Sequence, residues 1–396
     1  MFEYKESNIL LMIEALKKII KIFLGPFLTA YFIKVSADSL VDISLYYIFN
    51  YTILGIGFFI LGWFLKRRFH LETFRVGIVI NFIYILVIVL LKEKIVDHIP
   101  LISLLSGISS CTYYFPYNLF ASSKVKNTER DAYEMARKVL MTFVSIVIPI
   151  LLGSIISTTN FQLTAVIILI VSILQIILSL LIEPLDIKNK KYTPFSSIVV
   201  LFKNKDVRNM LLVDFFKGMN LSDSALDILM VVLIVGAFNS DFSLGLFTSL
   251  SSVLVIVMQY LYTKVFNKKH DKILVFISAL IPLVALVVML LFNNDITLLV
   301  YYFSYMIMIN LLALIFDVRL FNISNCKLVK EKHFLEFWAI RELVLNVGRI
   351  TGFALVLIAG LLNCSWLLYV LLFIFTLTIM FAGILTGKVK RYDSIK

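Results

Sequence analysis

The sequence predicts an all-α membrane protein of twelve transmembrane helices, arranged as two six-helix, pseudo-symmetric bundles. Three observations predict it. The 396-residue chain is 61% hydrophobic and only 16% charged, whereas a soluble domain is about 25% charged and about half apolar. A soluble core could not absorb that load. The 34 Phe and 18 Tyr, with abundant Leu and Ile, fall in apolar runs of roughly twenty residues separated by short basic segments, which is the length a bilayer crossing requires. Finally, the two halves of the chain resemble each other in three colinear places.

The apolar runs place spans near 8–33, 41–65, 72–91, 98–121, 137–157, 161–183, 208–236, 243–265, 271–292, 296–318, 335–362 and 365–387. Each is expected to be helical, because a helix satisfies its backbone hydrogen bonds within one segment where no water is available. The longest internal hydrophilic stretch, Glu183 to Arg208, contains Pro184, Lys188, Asn189, Lys190, Lys191 and Pro194. It divides the chain into a first bundle over 1–183, a linker over 184–207 and a second bundle over 208–396. Within it, Phe195 to Phe202 is too short to cross and is expected to lie along the membrane surface. Glu3 and Glu6 interrupt the N-terminus and no cleavage site follows, so the first apolar segment is expected to remain in the mature chain.

Charge sets the expected orientation. Of 37 Lys and Arg, 32 fall on the side shared by the two termini and the linker, while Lys34, Lys92 and Lys94 alone fall opposite. Positive residues are retained on the cytoplasmic side of short loops, so both termini are expected in the cytoplasm of a cell whose inner membrane holds the protein. The formal net charge of +12 does not imply a nucleic-acid partner, because the charges lie between spans instead of clustering on one soluble face. The bilayer is the expected partner, with the chain a monomer. Cys111, Cys326 and Cys364 are too few and too scattered for a disulfide framework or a metal pair.

The repeat appears in Asn8 to Lys17 against Asn209 to Lys217, each with an acid-x-x-Lys: Glu14 with Lys17, and Asp214 with Lys217. It reappears in Phe64 to Phe69 against Phe266 to Asp271, and in Arg137 against Arg341. The offsets are 200, 202 and 204 residues, a slow drift that small insertions produce.

Two six-helix halves of like orientation joined by a cytoplasmic linker resemble the major facilitator superfamily. That family carries, between its second and third helices, a Gly followed four residues on by Asp-Arg and then a Gly and further basic residues. Gly62 and Arg67 match, while Lys66 replaces the Asp, Phe69 the Gly and His70 a basic position. Gly62, Lys66 and Arg67, with Lys268 and Lys269 of the second half, are therefore the expected gating loops. Pro149 and Gly153 echo the Gly-Pro-x-x-Gly-Gly of many exporters, which leaves uptake and efflux both open. The resemblance implies a secondary transporter working by alternating access, with the first, fourth, seventh and tenth spans lining a central pathway.

Ionisable residues at membrane depth are costly and usually face a wet cavity or a partner. Glu14, Lys17, Lys18 and Lys21 share one face of the first span. They either line a cavity or belong to an amphipathic helix at the headgroups. The apolar remainder from Ile19 to Ile33 is short for a span and contains Pro26, which favours the cavity. The seventh span carries Asp214 and Lys217, then Asn220, Asp223 and Asp227; the last two mark a break or the far mouth. In the eleventh, Glu342, Asn346 and Arg349 share a face, and Gly348 and Gly352 allow close helix packing. Arg137 and Lys138 read as interfacial basic residues. Asn50, Gln259, Asn310, Tyr113, Tyr114 and Tyr117 either line the pathway or bond between helices. The nearby carboxylates are expected to neutralise Lys17 and Lys217, and the two acid-Lys motifs to face each other across the pathway.

The expected function is proton-coupled movement of a small solute, anionic or lipophilic, with Glu14, Asp214 or Glu342 as proton carriers. The alternative is a lipid or glycolipid flippase of the same scaffold, since lysines suit an anionic headgroup. An enzyme is not expected. The chain has no G-x-x-x-x-G-K-[ST], H-E-x-x-H or G-x-S-x-G, and of its four histidines His70, His270 and His333 lie outside the expected spans while His98 stands at the very edge of one. No cofactor or metal is expected.

Overall fold

The computed structural model describes residues 5–37, 39–65, 69–124, 130–184, 192–221, 223–265, 271–324 and 326–389. Every regular element among them is helical. The first membrane segment is α1 (Lys5–Ile22) and α2 (Leu28–Val35), joined without interruption by a π turn over Phe23–Phe27. Pro26 lies inside that turn, and the Leu28 N–H reaches back to the Phe23 carbonyl. Proline lacks an N–H and crowds the preceding turn, so the helix absorbs it as a wider loop. Then follow α3 (Ser39–Leu65), α4 (His70–Leu91), a short 3₁₀ stretch Lys92–His98, α5 (Ile99–Lys124), α6 (Arg130–Thr158) and α7 (Phe161–Leu180). His70, expected outside the spans, opens α4 and is buried.

The second half begins with the ten-residue α8 (Pro194–Lys203), too short to cross. It continues through α9 (Lys205–Asn220), α10 (Ala225–Phe238), α11 (Asp241–Val265), α12 (Asp271–Phe292), α13 (Asp295–Ser324), α14 (Phe334–Leu361) and α15 (Ser365–Lys388). The helix expected over 208–236 is thus two helices, broken after Asn220. Three of the connections turn on an asparagine with positive φ: Asn239 at 44°, Asn293 at 42° and Asn363 at 48°. Asparagine tolerates this left-handed conformation, which ends a helix and lets the next begin within a few residues.

Ten helical stretches among the described residues are long and apolar enough to cross a membrane. One of them, His70–Asn118, contains both α4 and α5, and another, Lys205–Phe238, contains α9 and α10. α7 shows which solvent surrounds them. Its exposed positions include Ile170, Leu174 and Ile177, whereas Ser172, Gln175 and Ser179 are buried. Apolar outside and polar inside is the arrangement of a helix whose outer face meets lipid.

The chain forms two compact units. The first comprises 1–192 with 238–252, and the second 193–237 with 253–396. In the first unit α5 packs on α3 and α4, α4 on α7, and α1 on α5, α6 and α7. Gly77 makes the α4–α5 approach possible, since a Cβ there would press on the backbone of Thr112 and Tyr113 at 2.7–2.8 Å. Cys111 fills the space opposite Gly57 in the same layer. In the second unit α9 packs on α14 and α15, α12 on α13 and α15, and α8 on α14.

Candidate functional site

The charged residues of α1 reach different environments. Glu14 is clamped by Arg137 of α6, whose Nε donates to both carboxylate oxygens at 2.9 and 2.7 Å and whose Nη2 donates at 2.6 Å. The Tyr117 hydroxyl of α5 adds a donor at 2.5 Å. Such a forked arginine contact is stronger and more directional than a lysine's point charge. Lys17 turns away from Glu14. Its Nζ donates to Asn81 Oδ1 of α4 at 2.8 Å and stands 5.0 Å from the Tyr113 ring and 6.0 Å from the Tyr114 ring. Ser109 also donates to Asn81 Oδ1, at 3.1 Å. Lys17 is only 6% exposed, whereas Lys18 is half-buried and Lys21 exposed.

The second unit repeats the scheme with different chemistry. Asp214 of α9 is fully buried and accepts from Arg341 Nη2 of α14 at 3.1 Å, while Arg341 Nη1 donates to Glu342 at 2.8 Å. Arg341 also lies 5.4 Å from the Trp338 ring. Lys217 pairs at 2.9 Å with Asp317 of α13, whose carboxylate is 62% exposed. Two glycines bring α9 and α14 together: a Cβ on Gly348 would strike the Phe215 carbonyl, and one on Gly218 the Leu345 carbonyl. The backbones touch, so Asp214 and Arg341 meet without long-stem freedom.

The expected partnership within each acid-x-x-Lys is therefore corrected. The carboxylate of each unit binds the arginine of the helix ending the repeat match, Arg137 or Arg341, and the lysine goes elsewhere. Arg137, expected to be an interfacial base, is instead the partner of Glu14. The signal was present in the sequence: Glu14 and Asp214 are 200 residues apart, and Arg137 and Arg341 are 204 apart. Tyr117 and Asp317, also 200 apart, complete the correspondence, one bonding Glu14 and the other Lys217.

The break between α9 and α10 is a second polar cluster. Asp223 adopts φ 52°, and Arg349 reaches it at 3.6 Å while donating to Asn346 Oδ1 at 3.1 Å. Asn346 in turn donates to the Glu342 carbonyl at 2.8 Å. Tyr305 of α13 donates to the Asn220 carbonyl and to Asp227, each at 2.8 Å. Ser224 and Asp227 cap α10 reciprocally at 3.2 and 3.3 Å, the arrangement of a capping box. The carbonyl freed by the break is thus satisfied by a side chain, as membrane burial demands.

Of the expected gating loops, Gly62 is described and receives the ring of Tyr192, whose hydroxyl donates to the Phe59 carbonyl at 3.0 Å. Lys66, Arg67, Lys268 and Lys269 lie outside the described residues. Among the described residues, no group of three or more His, Cys, Asp or Glu side chains is placed to hold a metal ion.

No protein-family profile matches the chain. It is 23% identical over 332 residues to the uncharacterized protein YqgE of Bacillus subtilis (strain 168), an alignment covering 83% of this chain and 76% of that protein. Among solved structures, it resembles a bacterial homologue of the iron transporter ferroportin in an inward-facing state, with a TM-score of 0.67 at 14% identity, over 98% of this chain and 99% of that one. The fold is that of membrane transporters. A second structure, a bacterial metal transporter, gives a TM-score of 0.63 at 13% identity over the same shares of the two chains. The chain is accordingly an all-helical, multi-pass membrane protein.

Proposed function

We propose that this chain is a secondary active transporter, moving a small solute across the inner membrane by alternating access as a proton-coupled monomer with both termini in the cytoplasm. The observation that carries this reading is the repeated carboxylate–arginine pair, Glu14–Arg137 and Asp214–Arg341. Charges buried in a lipid-facing fold are costly unless they serve a pathway or fix a packing, and duplication has kept one pair in each half. Twelve crossings are consistent with the helices: dividing His70–Asn118 at Lys92 and adding Lys5–Val35, which carries too many charges to register as apolar, brings ten to twelve. The bundles then correspond to 1–183 and 208–396, with the linker between.

Glu14, Asp214 and Glu342 are the carboxylates available to carry the proton. On the side opposite the linker, Lys34 at the end of α2 bonds Asp241 at the start of α11, and the Ile150 N–H of α6 donates to Ser249 at 3.2 Å. Gly245 packs against the Pro149 carbonyl beside Gly153. Asp241, Gly245 and Ser249 belong to the first compact unit, so these contacts hold the start of α11 to it.

One structural neighbour is a bacterial metal transporter and the other a homologue of an iron transporter, so divalent metals belong among the solutes tried. A lipid or glycolipid flippase remains the second reading, favoured by the exposed Lys21 and half-buried Lys18 on the same helix as Lys17. A thermal-shift screen of the purified protein separates these readings, because a bound ligand raises apparent stability by mass action. The proposal expects a water-soluble solute to stabilise the protein; stabilisation by anionic lipid headgroups alone would replace it with the flippase.

A further inference from the structure

The two acid-x-x-Lys motifs differ in one respect that chemistry can read. Lys217 has a carboxylate partner in Asp317. Among the described residues Lys17 has none: its Nζ meets only the Asn81 amide oxygen and the faces of two tyrosines. Glu14, one turn before it, is occupied by Arg137 and Tyr117. Lys21, one turn after it, adds another positive charge. A buried ammonium without a counter-charge is costly, and it is kept charged by an anion nearby or else gives up its proton.

The surroundings of Lys17 contain further unused donors. A lysine and a serine can only donate to Asn81 Oδ1 in this arrangement, which fixes the orientation of the amide and leaves Nδ2 as a donor. Among the described residues that Nδ2 has no partner, and Asn81 is 1% exposed. The Tyr113 hydroxyl also has no partner, and Tyr113 is equally buried. Buried donors are nearly always satisfied in folded proteins, so two orphans on the very side chains that Lys17 touches point to a missing acceptor. Around them stands an aromatic wall in which Tyr113 stacks on Tyr117 at 5.6 Å and meets Phe74 at 5.2 Å.

The geometry points to a binding site for the carboxylate of a small organic anion, formed by Lys17, Asn81 and Tyr113 in the first unit. One positive charge and two neutral donors match a singly charged group with two acceptor oxygens better than a phosphate dianion. The aromatic wall suits an apolar or aromatic remainder. This assignment rests on the transporter reading and names the substrate class for it.

The test is ligand-dependent thermal stability of the purified full chain in detergent, with sodium benzoate and sodium acetate against benzamide, sodium chloride and sodium phosphate. Benzoate should stabilise the wild type in a saturable way and benzamide, which keeps the ring and loses the charge, should not. Lys17→Met should abolish the effect. Tyr113→Phe removes only a hydroxyl and serves where Lys17→Met does not fold; it should weaken benzoate binding about tenfold, the loss of one charge-assisted hydrogen bond. Equal stabilisation by chloride and benzoate, no response to either carboxylate, or benzoate binding unchanged in both variants would overturn the assignment. Liposomes that transport another solute while carboxylates fail to bind would overturn this inference and leave the transporter reading standing. Specific benzoate binding without flux of any solute would leave the site intact and remove the transporter reading.

Discussion

Removing Arg137 strands a partly buried carboxylate, so Arg137→Met should destabilise the protein by about 1–3 kcal/mol, less than a fully buried pair because both groups retain some solvent. Arg341→Met, opposite the fully buried Asp214, should cost about 3–5 kcal/mol. Denaturant unfolding in detergent reads both, and the cycle of Glu14→Gln with Arg137→Met should show coupling of about 1 kcal/mol or more, as expected for contacting residues. Lys217 behaves differently. Its partner Asp317 is largely exposed although Lys217 itself is buried, so their ion pair contributes about 1 kcal/mol or less and Lys217→Ala should cost less than Arg341→Met. The sequence marked Glu14, Arg137, Asp214, Arg341 and Lys217 but matched them wrongly, and it gave no sign of Asp317. Residues three apart on a helix are neighbours, which made Glu14–Lys17 the obvious pair. A forked guanidinium from another helix binds both carboxylate oxygens at once, and it displaces a lysine that can swing to Asn81. That choice depends on packing, which spacing along one helix does not encode.

At the scale of helices, the close crossing of α9 and α14 decides whether the Asp214–Arg341 pair can form. Gly348→Ala places a methyl against a backbone carbonyl that cannot turn aside, and should cost about 2 kcal/mol or more, as overpacking does. Gly236→Ala, where a Cβ meets nothing within 4 Å, is the control and should be neutral or slightly stabilising. Thermal unfolding of the two variants side by side makes the comparison. Gly348 was legible as part of a small-x-x-x-small pattern, and most span limits fell within a few residues of the helices because apolar length alone sets them. In the sequence Asp223 and Asp227 stand for either a break in the 208–236 span or its far mouth, because hydropathy is unchanged across them; the helix ending at Asn220 decides for the break. Ser224-x-x-Asp227 was the available sign, a capping box within an apolar run, and it outweighs hydropathy because a buried helix start must satisfy its own N–H groups.

For the whole molecule, the charge asymmetry predicts that reporter fusions at Lys190 and after Lys396 will be cytoplasmic; either one active outside the cell would reverse the orientation. The likeness of the two halves is legible only as three short matches, in which the acids and arginines that pair are the recognisable part. The neighbours' fold extends over nearly the whole chain, but at such low identity it carries no cargo with it. The central claim is that the protein couples solute movement to protons through Glu14, Asp214 and Glu342. It is tested most directly by reconstituting the protein in liposomes with a pH-sensitive dye inside, imposing a solute gradient and recording luminal pH across a panel of carboxylates, sugars and divalent metals. The account predicts solute-dependent proton movement in the wild type that is lost in the triple variant Glu14→Gln, Asp214→Asn, Glu342→Gln, with the fold retained by circular dichroism. Solute accumulation unaffected by the triple substitution, or lipid translocation with no solute flux, would contradict it.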